Sequence, residues 1–323
     1  MIILTGGAGF IGSVLLKRLN DDGYTDILIV DALDSSDKWK NLIGKKFEDY
    51  CYKDDFLEFL EEEIEKDDVE AIIHLGACTS TTERDADYLM LNNFHFSQEL
   101  AEWCLWAGKP FIYASSASTY GDGMNGFSDD NNQIPSYRPL NAYGFSKHLF
   151  DLWLVQHKFD ELCTGFKFFN VFGPNEYHKE DMASLVYKAY HQVFETGTLK
   201  LFRSYNPQYK DGEFLRDFIY VKDCVDVLMW SFNNPNVKGI YNLGTGKARS
   251  WNDLAAALFT SLGKEKSITY VDMPESIRSA YQYFTQAEMG KLRNAGYTLP
   301  FTELENAVQD YVKDYLMQPQ KYL

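Results

Sequence analysis

Thr5-Gly6-Gly7-Ala8-Gly9-Phe10-Ile11-Gly12 follows directly on a short apolar run, Ile2-Ile3-Leu4. Helical spacing of apolar residues continues over Ser13 to Leu19, and a second apolar run, 27–30, ends in Asp31. The order strand, glycine-rich loop, helix, strand and terminal acid is typical of a dinucleotide-binding fold. The glycines let backbone amides close on a pyrophosphate at a helix N-terminus, where the macrodipole favours anions. The stretch predicts an α/β protein with a doubly wound parallel sheet of the Rossmann type.

Composition and charge narrow the range of partners. The 323 residues are 45% hydrophobic and 24% charged, which is ordinary for a globular protein and excludes wholesale disorder. A net charge of −16 repels nucleic acid and anionic membranes, so we expect neither as a partner. An anionic ligand would have to find local positive groups.

The cysteines and the termini indicate a compartment. The five cysteines are scattered and form no Cys-x-x-Cys pair, which argues against a disulfide framework or a metal site and fits a reducing environment. Met1 leads straight into the first apolar run without a signal peptide, and no stretch of about 18 apolar residues occurs. We expect a soluble, cytoplasmic protein.

Small and hydroxylated residues follow the next predicted strands. Strand 71–75 ends in Gly76-Ala77-Cys78, where small side chains let a cofactor approach the backbone. His74 lies within the apolar run and is predicted to be a packed core histidine. Asn92 and Asn93 fall on the following helix, where one could hydrogen-bond neighbouring loops or the cofactor. Strand 111–114 opens into Ser115-Ser116-Ala117-Ser118, whose hydroxyls either bind a substrate alcohol or cap their own turn.

Asn141-Ala142-Tyr143-Gly144-Phe145-Ser146-Lys147 has the pattern of a helix start. Asn141 is a good N-cap, and an amphipathic run follows it. Residues four apart share a helix face, so the Tyr143 hydroxyl and the Lys147 ammonium can point into one pocket. A neighbouring cation lowers the pKa of a phenol from about 10, which suits it to moving a proton at an alcohol carbon. A solvated helix face is the alternative for this spacing.

The second half is predicted to form a smaller α/β substrate-binding lid. After a strand at 164–169, segments 217–221 and 240–244 are predicted to return to the sheet. We therefore assign residues 1–170 with about 217–247 to the dinucleotide-binding domain, and 171–216 with most of 248–323 to the lid. Cations of the lid are candidates for an anionic substrate, and Arg216 is favoured because a guanidinium binds a pyrophosphate with two hydrogen bonds: Lys179, Lys188, Arg203, Arg216 and Arg278.

The glycine loop, the serine-rich strand end and the Tyr143/Lys147 pair together resemble the extended short-chain dehydrogenase/reductase family. Segments 216–223 (RDFIYVKD) and 241–246 (YNLGTG) look like its nucleotide-sugar epimerase and dehydratase branch. More specific segments are similar to the ADP-L-glycero-D-manno-heptose 6-epimerase family: 76–83 (GACTSTTE), 88–93, His178-Lys179 before Met182-Ala183-Ser184, and 281–287 (YQYFTQA).

The resemblance implies a tightly held NADP. From the residues alone the choice is open, because Asp31 favours NAD whereas Lys38 or Lys53 could neutralise a 2′-phosphate. The family's lysines match Lys38 and Lys53 and favour NADP, while Ala32 replaces its asparagine and keeps NAD open. The implied cofactor-binding residues are Gly6, Gly9, Phe10, Ile11, Gly12, Asp31, Ala32, Lys38, Lys53, Leu75, Gly76, Ala77, Cys78, Thr79, Asn92, Lys147, Val171 and Lys179.

The resemblance also implies catalytic and substrate-binding residues. The catalytic set is Tyr143, Lys147, Ser116 and, as a second acid/base, Lys179; a phosphate- or cofactor-binding role is the alternative for Lys179. Asp181 stands where the family has serine, Lys188 where it has histidine, and segment 202–205 keeps only Phe202. The implied substrate contacts are Asn170, Asp181, Lys188, Phe202, Arg203, Ser204, Tyr205, Arg216 and Tyr281.

The implied reaction is inversion of C6 of an ADP-heptose through a transient 6-keto sugar, for the heptose of the lipopolysaccharide core. A sugar 4,6-dehydratase would need an Asp-Glu pair where Ala117 and Ser118 stand, so dehydration is disfavoured. The alternatives are another nucleotide-sugar epimerase, such as an NAD-dependent UDP-hexose 4-epimerase, and a redox-sensing NADP-binding protein without catalysis. The family assembles into rings of identical subunits, which implies a homo-oligomer. A homopentamer is one of the forms that this resemblance allows.

Overall fold

The computed structural model describes residues 1–278 and 281–323. The strands are β1 (Ile2–Thr5), β2 (Ile27–Asp31), β3 (Asp49–Tyr52), β4 (Ala71–His74), β5 (Phe111–Ser116), β6 (Thr164–Phe168), β7 (Asn170–Phe172), β8 (Leu199–Phe202), β9 (Leu215–Tyr220), β10 (Gly239–Leu243), β11 (Ala248–Ser250) and β12 (Ile268–Val271).

The α-helices are α1 (Phe10–Asp21), α2 (Phe56–Glu62), α3 (Ala86–Leu89), α4 (Phe96–Ala107), α5 (Ala142–Gln156), α6 (Leu185–Thr196), α7 (Val221–Asn233), α8 (Trp251–Leu262), α9 (Glu275–Arg278), α10 (Gly290–Asn294) and α11 (Leu304–Asp310). Met90–His95 joins α3 to α4 as a π-helical segment, and a second one, Tyr311–Leu316, follows α11. Short 3₁₀ helices span Asp37–Leu42, Lys66–Asp68, Ala117–Tyr120, Ile134–Ser136, Phe159–Glu161 and Tyr177–Met182.

Seven parallel strands form the large sheet, in the order β10-β6-β5-β4-β1-β2-β3. Successive side chains of β1 pack on opposite faces, Ile2 and Leu4 on one and Ile3 on the other, so both faces of the sheet are covered. The prediction of a doubly wound Rossmann sheet is confirmed. Strand β3 was not predicted, because this edge strand (DYCY) is only partly buried and has no apolar run.

The two predicted returning strands behave differently. β10 joins the large sheet beside β6, as expected. The prediction for 217–221 is wrong, because β9 pairs with β7 and β11 in a separate three-stranded sheet. The position beside β6 is taken by β10, and the chain turns away from the large sheet after Phe168 to form β7. The domain boundaries assigned from the sequence stay a prediction.

A continuous core joins the small sheets to one face of the large sheet. Leu15 of α1 belongs to the same buried cluster as Val186 of α6, Leu201 of β8, Leu254 of α8 and Leu304 of α11. The opposite face of the sheet is covered by a second cluster that includes residues of α2, α4 and α5. This packing fixes the segments after residue 170 over the carboxyl end of the large sheet.

Two further findings concern the chain as a whole. In the described part of the chain, no helix combines the length and the apolar character needed to cross a membrane. All five cysteines carry free thiols.

Candidate active site

A cleft of about 1090 Å³ opens at the carboxyl edge of the large sheet. Its floor is formed by residues at the ends of β1, β2, β4, β5 and β6, and its other wall by β7, α6, β8 and α8. Ligands of open parallel sheets bind at this edge, where the strand ends and the helix N-termini converge. We define the sheet side as the cofactor wall and the opposite side as the lid wall.

The glycine loop of the cofactor wall is closed too tightly for side chains. A Cβ atom on Gly12 would lie 2.0 Å from the carbonyl oxygen of Gly6, and one on Gly6 would lie 2.6 Å from the amide nitrogen of Gly76. Gly6 also has a φ of +70°, which favours glycine. Gly9 caps α1 without any side-chain hydrogen bond to the first amides of the helix. Those amides fit the pyrophosphate of a dinucleotide.

Asp31, at the end of β2, holds the loop and carries its own counterion. Its Oδ2 accepts a hydrogen bond from the Ala8 amide at 2.8 Å, and its Oδ1 accepts one from the Ala32 amide at 2.8 Å. The Lys38 Nζ lies 2.5 Å from the same Oδ1. Lys53, also on the cleft, pairs with Asp54 at 2.5 Å. The negative charge at this point of the wall is therefore balanced by lysine.

The loop after β4 is fixed by a buried asparagine. The Asn93 side chain accepts a hydrogen bond from the Cys78 amide at 2.8 Å and donates to the Cys78 carbonyl and to the Ser146 hydroxyl, both at 3.0 Å. Asn92 lines the cleft. His74 is fully buried, with its ring nitrogens 2.7 Å from Thr5 Oγ1 and 2.9 Å from Ser97 Oγ. The prediction of a core histidine is confirmed.

Helix α5 presents Tyr143 and Lys147 to the cleft. Asn141 caps this helix as predicted, accepting a hydrogen bond from the Gly144 amide at 2.7 Å. Tyr143 is 8% exposed and Lys147 3% exposed, and both line the cleft together with Ser116. The spacing of four residues thus places both side chains on one cleft wall.

The electrostatics of this trio differ from the expectation. Burial raises the pKa of the Tyr143 phenol above its usual value, while a hydrogen bond with Ser116 opposes that rise. The pKa of the phenol is raised on balance, so the expectation that it is lowered is wrong. Burial instead lowers the pKa of the Lys147 ammonium to about 8, against the attraction of Asp151. Desolvation outweighs the attraction between charges at this site.

Lys179 reaches the cleft from the 3₁₀ helix Tyr177–Met182. Its Nζ lies 3.4 Å from Thr79 Oγ1 and 5.9 Å from the centre of the Phe10 ring, so it bridges the two walls. Burial lowers the pKa of its ammonium, Glu176 opposes this, and Lys38 adds to it. The next residue, Glu180, has a φ of +45°, an uncommon backbone conformation for a residue other than glycine.

The predicted residues are distributed unevenly. Each of the implied cofactor-binding and catalytic residues lines the cleft. Of the implied substrate contacts, Asn170, Lys188, Phe202 and Tyr281 line it as well. Asp181, Arg203, Ser204, Tyr205 and Arg216 do not belong to its lining. The individual roles of all these residues stay predictions.

The outlying residues have partners elsewhere. Arg203 pairs with Asp272 at 3.3 Å, and the Ser204 hydroxyl donates to the Asn206 carbonyl at 2.8 Å. The Tyr205 ring lies 4.0 Å from the Arg278 guanidinium, measured to the ring centre. Asp181 is exposed, and its carbonyl accepts a hydrogen bond from Lys188 at 2.5 Å. The residues at which these loops differ from the family pattern therefore contact other residues of the chain.

Arg216 lies just behind the lid wall. It is 6% exposed, donates to the carbonyls of Leu215 (2.9 Å) and Gln282, and packs near the rings of Trp251 and Tyr281, at 5.9 and 5.4 Å from their centres. Both rings line the cleft. Within the described residues no carboxylate pairs with it, and burial lowers its pKa. A buried guanidinium without a counterion is suited to binding an anion.

Several lining residues were missed by the sequence analysis. Lys200 of β8 has a weak signal, because its strand (LKLF) alternates buried and exposed residues. His178 belongs to a segment that resembles the family, but no role was predicted for it. Phe214 and Trp251 have no signal in the sequence, since only the folded chain brings them to the cleft. Among residues 1–278 and 281–323, no group of three or more His, Cys, Asp or Glu side chains could hold a metal ion.

Comparison with known proteins gives the following similarities. Residues 2–244 match the model of the NAD dependent epimerase/dehydratase family. The chain is 52% identical over 323 residues, 100% of both chains, to an ADP-L-glycero-D-manno-heptose-6-epimerase of Nitratidesulfovibrio vulgaris (strain Hildenborough). It is 47% identical over 332 residues, again 100% of both chains, to the enzyme of the same name from Fusobacterium nucleatum.

Solved structures show the same fold. An ADP-L-glycero-D-manno-heptose-6-epimerase of Helicobacter pylori superposes with a TM-score of 0.81 at 30% identity, covering 97% of this chain and 95% of the other. A UDP-N-acetylglucosamine 4-epimerase from Methanobrevibacter ruminantium gives a TM-score of 0.78 at 23% identity, covering 97% and 96%. The second similarity concerns the fold alone.

Proposed function

The chain belongs to the NAD-dependent epimerase/dehydratase family and, within it, to the ADP-L-glycero-D-manno-heptose-6-epimerases; from this we propose that it inverts C6 of ADP-D-glycero-D-manno-heptose to give ADP-L-glycero-D-manno-heptose. One observation carries the proposal: Tyr143, Ser116 and Lys147 meet on the wall of a cleft that also contains the glycine loop. An epimerase needs this combination of a dinucleotide site and a proton-transferring group at one carbon.

The reaction at C6 requires a temporary change of oxidation state. The C–H bond of an unactivated secondary alcohol is not acidic, so direct removal of its proton is implausible. A nicotinamide cofactor, when bound, supplies the acceptor for the hydride and returns it. Tyr143 takes the proton of the C6 hydroxyl while the alcohol becomes a ketone, and a ketone can be reduced from either face.

The raised pKa of Tyr143 shows what its neighbours have to supply. A buried phenol holds its proton, and accepting the substrate's proton requires the phenolate form. The Ser116 hydrogen bond stabilises that form, and the Lys147 ammonium provides positive charge on the same wall. We assign Ser116 a second role as donor to the reacting oxygen, and Lys147 the binding of the nicotinamide ribose.

Reduction from the other face calls for a second proton donor. After the ketone presents its opposite face, its oxygen no longer points to Tyr143. Lys179 is suited to this step, because it reaches into the cleft from the lid wall and its lowered pKa eases the loss of a proton. We propose Lys179 as the second acid/base.

We propose NADP as the cofactor. A free carboxylate at the end of β2 would repel a 2′-phosphate. Asp31 is paired with Lys38, so the pair carries no net charge at the cleft. Lys53, which pairs with Asp54, is a second lysine at the same wall. The match of both lysines to the family pattern points the same way.

The pyrophosphate of the substrate is assigned to the lid wall. Arg216 lies there buried without a carboxylate partner in the described part of the chain, behind Tyr281 and Trp251. Lys188 and Lys200 are further cations on that wall, in a protein whose net charge is −16. Local positive charge of this kind is what an anionic substrate requires here.

Turnover tests the proposal directly. We expect the purified protein to convert ADP-D-glycero-D-manno-heptose and to leave UDP-glucose and UDP-galactose unchanged. Tyr143→Phe should lower kcat by about 10²- to 10⁴-fold, because it removes the group that moves the proton, while the co-purifying nucleotide stays bound. Tyr24→Phe, a tyrosine packed against Phe232 away from the cleft, is the control. Turnover of a UDP-hexose instead of the heptose would contradict the substrate, and unchanged turnover of Tyr143→Phe would contradict the role of the phenol.

A further inference from the structure

A buried ion pair lies directly beneath the strand end that carries Ser116. Asp151 of α5 and Lys167 of β6 are both 0% exposed and form a salt bridge. Removing two such charges from water is costly, and a well-packed apolar pair would often be at least as stable. Stability alone therefore explains an ion pair at this depth poorly. Its contacts indicate a role in positioning the neighbouring strand end.

The contacts of Asp151 tie it to strand β5. Its Oδ1 accepts a hydrogen bond from the Tyr113 hydroxyl at 2.9 Å, and its Oδ2 accepts one from the Ser115 hydroxyl at 2.7 Å. Asp151 lies one helical turn beyond Lys147, so helix α5 carries both residues on one side. The carboxylate thus connects the helix of Tyr143 and Lys147 to the strand of Ser116.

The contacts of Lys167 lead to the backbone of Ser116. Its ammonium donates to Thr119 Oγ1 at 2.8 Å and lies 5.2 Å from the centre of the Tyr120 ring. The Thr119 hydroxyl in turn donates to the carbonyl of Ser116 at 2.8 Å, and Thr119 is fully buried. A continuous chain of hydrogen bonds therefore runs from Asp151 through Lys167 and Thr119 to Ser116.

We infer that the Asp151–Lys167 pair positions the Ser116 hydroxyl against Tyr143, acting from one side through Ser115 and from the other through Thr119. All four are positioning residues, since none of them is placed on the reacting atoms. Buried polar networks whose members are all satisfied hold a unique geometry, and catalysis at a hydroxyl is sensitive to displacements of about 1 Å. The inference rests on the proposed function, because it concerns the proton transfer at Tyr143.

Thr119→Val tests this role while leaving both buried charges in place. It removes the hydroxyl that joins Lys167 to the Ser116 carbonyl and keeps the shape of the side chain. We expect kcat to fall about tenfold with KM unchanged, and Thr119→Ser, which restores the hydroxyl, to recover most of the loss. Thr164→Val is a matched control, because Thr164 is also buried, begins the strand of Lys167, and donates to the Val237 carbonyl at 2.6 Å.

Hydrogen exchange gives a second readout that does not depend on turnover. In Thr119→Val the amides of residues 115–121 should exchange faster than in the wild type, whereas Thr164→Val should leave them unchanged. Equal kcat and equal exchange in the two valine variants, or a serine variant as impaired as Thr119→Val, would overturn the positioning role. A wild-type protein that does not act on the heptose would contradict the proposed function, and the exchange comparison would still decide whether Thr119 holds the strand end.

Discussion

The two walls of the cleft are built by different means. On the cofactor wall, glycines bring backbone against backbone, and Asp31 and Asn93 tie the loops with hydrogen bonds to main-chain amides. On the lid wall, long side chains project into the cleft from a 3₁₀ helix (Lys179), from α6 (Lys188) and from β8 (Lys200). The shape of the cofactor wall is fixed by contacts of the backbone. The lid wall is formed by charged side chains, whose charge a bound anion would balance.

This difference separates two kinds of sensitivity. A change in the glycine loop of the cofactor wall should act through shape and should alter stability together with nucleotide binding. A change on the lid wall should act through charge and hydrogen-bond geometry and should alter the KM for the sugar nucleotide while the fold stays intact. The following variants are arranged from the largest expected effect on ligand binding to the smallest.

Gly12→Ala should damage the cofactor wall. The added Cβ would lie 2.0 Å from the carbonyl oxygen of Gly6, so the loop has to move. We expect the free energy of unfolding to fall by about 1–3 kcal/mol and the co-purifying nucleotide to be lost. Thermal unfolding and mass spectrometry of the bound nucleotide measure both effects.

Gly290→Ala is the control for that variant. Gly290 begins α10, and a Cβ there would meet no atom within 4 Å. This substitution should be neutral or slightly stabilising. Full nucleotide occupancy in Gly12→Ala would show that the tight loop is not required for binding.

Arg216→Lys should damage the lid wall without unfolding it. Lysine keeps the charge but loses the planar pair of donors, so we expect the KM for the ADP-heptose to rise about tenfold with little change in kcat. Steady-state kinetics measure the split between the two constants. Arg18→Lys is the control, because Arg18 pairs with Asp22 and Asp226 away from the cleft. Equal KM values for the two variants would remove Arg216 from the substrate site.

Lys38→Ala should change the choice of nucleotide. Without Lys38, the Asp31 carboxylate loses its counterion and repels a 2′-phosphate. We expect affinity for NADP to fall about tenfold and affinity for NAD to change less, measured by calorimetry on protein stripped of nucleotide. The exposed Lys313 serves as the control in Lys313→Ala. An equal loss for both nucleotides would argue against a 2′-phosphate at this wall.

The Lys147 ammonium should make the stability of the fold depend on pH. Its pKa is about 8 in the folded protein, below the 10.5 of a free lysine, because burial beside the neutral His74 outweighs the attraction of Asp151. Between these two values the unfolded chain binds more protons, so stability rises with pH from about 8 to 10.5.

Lys147→Met should remove this contribution. We expect the wild type to gain about 3 kcal/mol relative to Lys147→Met across that window, measured by denaturant unfolding at each pH without added nucleotide. Parallel curves for the two proteins would show that Lys147 keeps an ordinary pKa.

The features that sequence could predict are those encoded locally. The glycine loop, the cap at Asn141 and the Tyr143/Lys147 spacing each lie within a few residues, and glycine and asparagine are required there by backbone geometry. The edge strand β3 was not predicted, because it is only partly buried and has no apolar run. The assignment of 217–221 to the large sheet was wrong because a strand's sequence indicates that it is buried and not which neighbour it pairs with.

The features that could not be predicted from the sequence are contacts between residues far apart in the chain. Asp151, Lys167 and Thr119 meet beneath Ser116 from three separate elements, and no spacing in the sequence announces them. Arg216 was favoured for its chemistry, and the structure adds that it is buried beside two rings of the lid wall. Residue type predicted these candidates, whereas their burial and partners follow from the fold.

The fate of the hydrogen on C6 tests the central claim most directly. ADP-heptose carrying deuterium at C6 would be converted in ordinary water, and the product analysed by mass spectrometry and NMR. Transient oxidation with return of the same hydride predicts that the deuterium remains at C6 of the inverted sugar. Replacement of the deuterium by solvent hydrogen during inversion would contradict the account, because it would mean that C6 loses a proton.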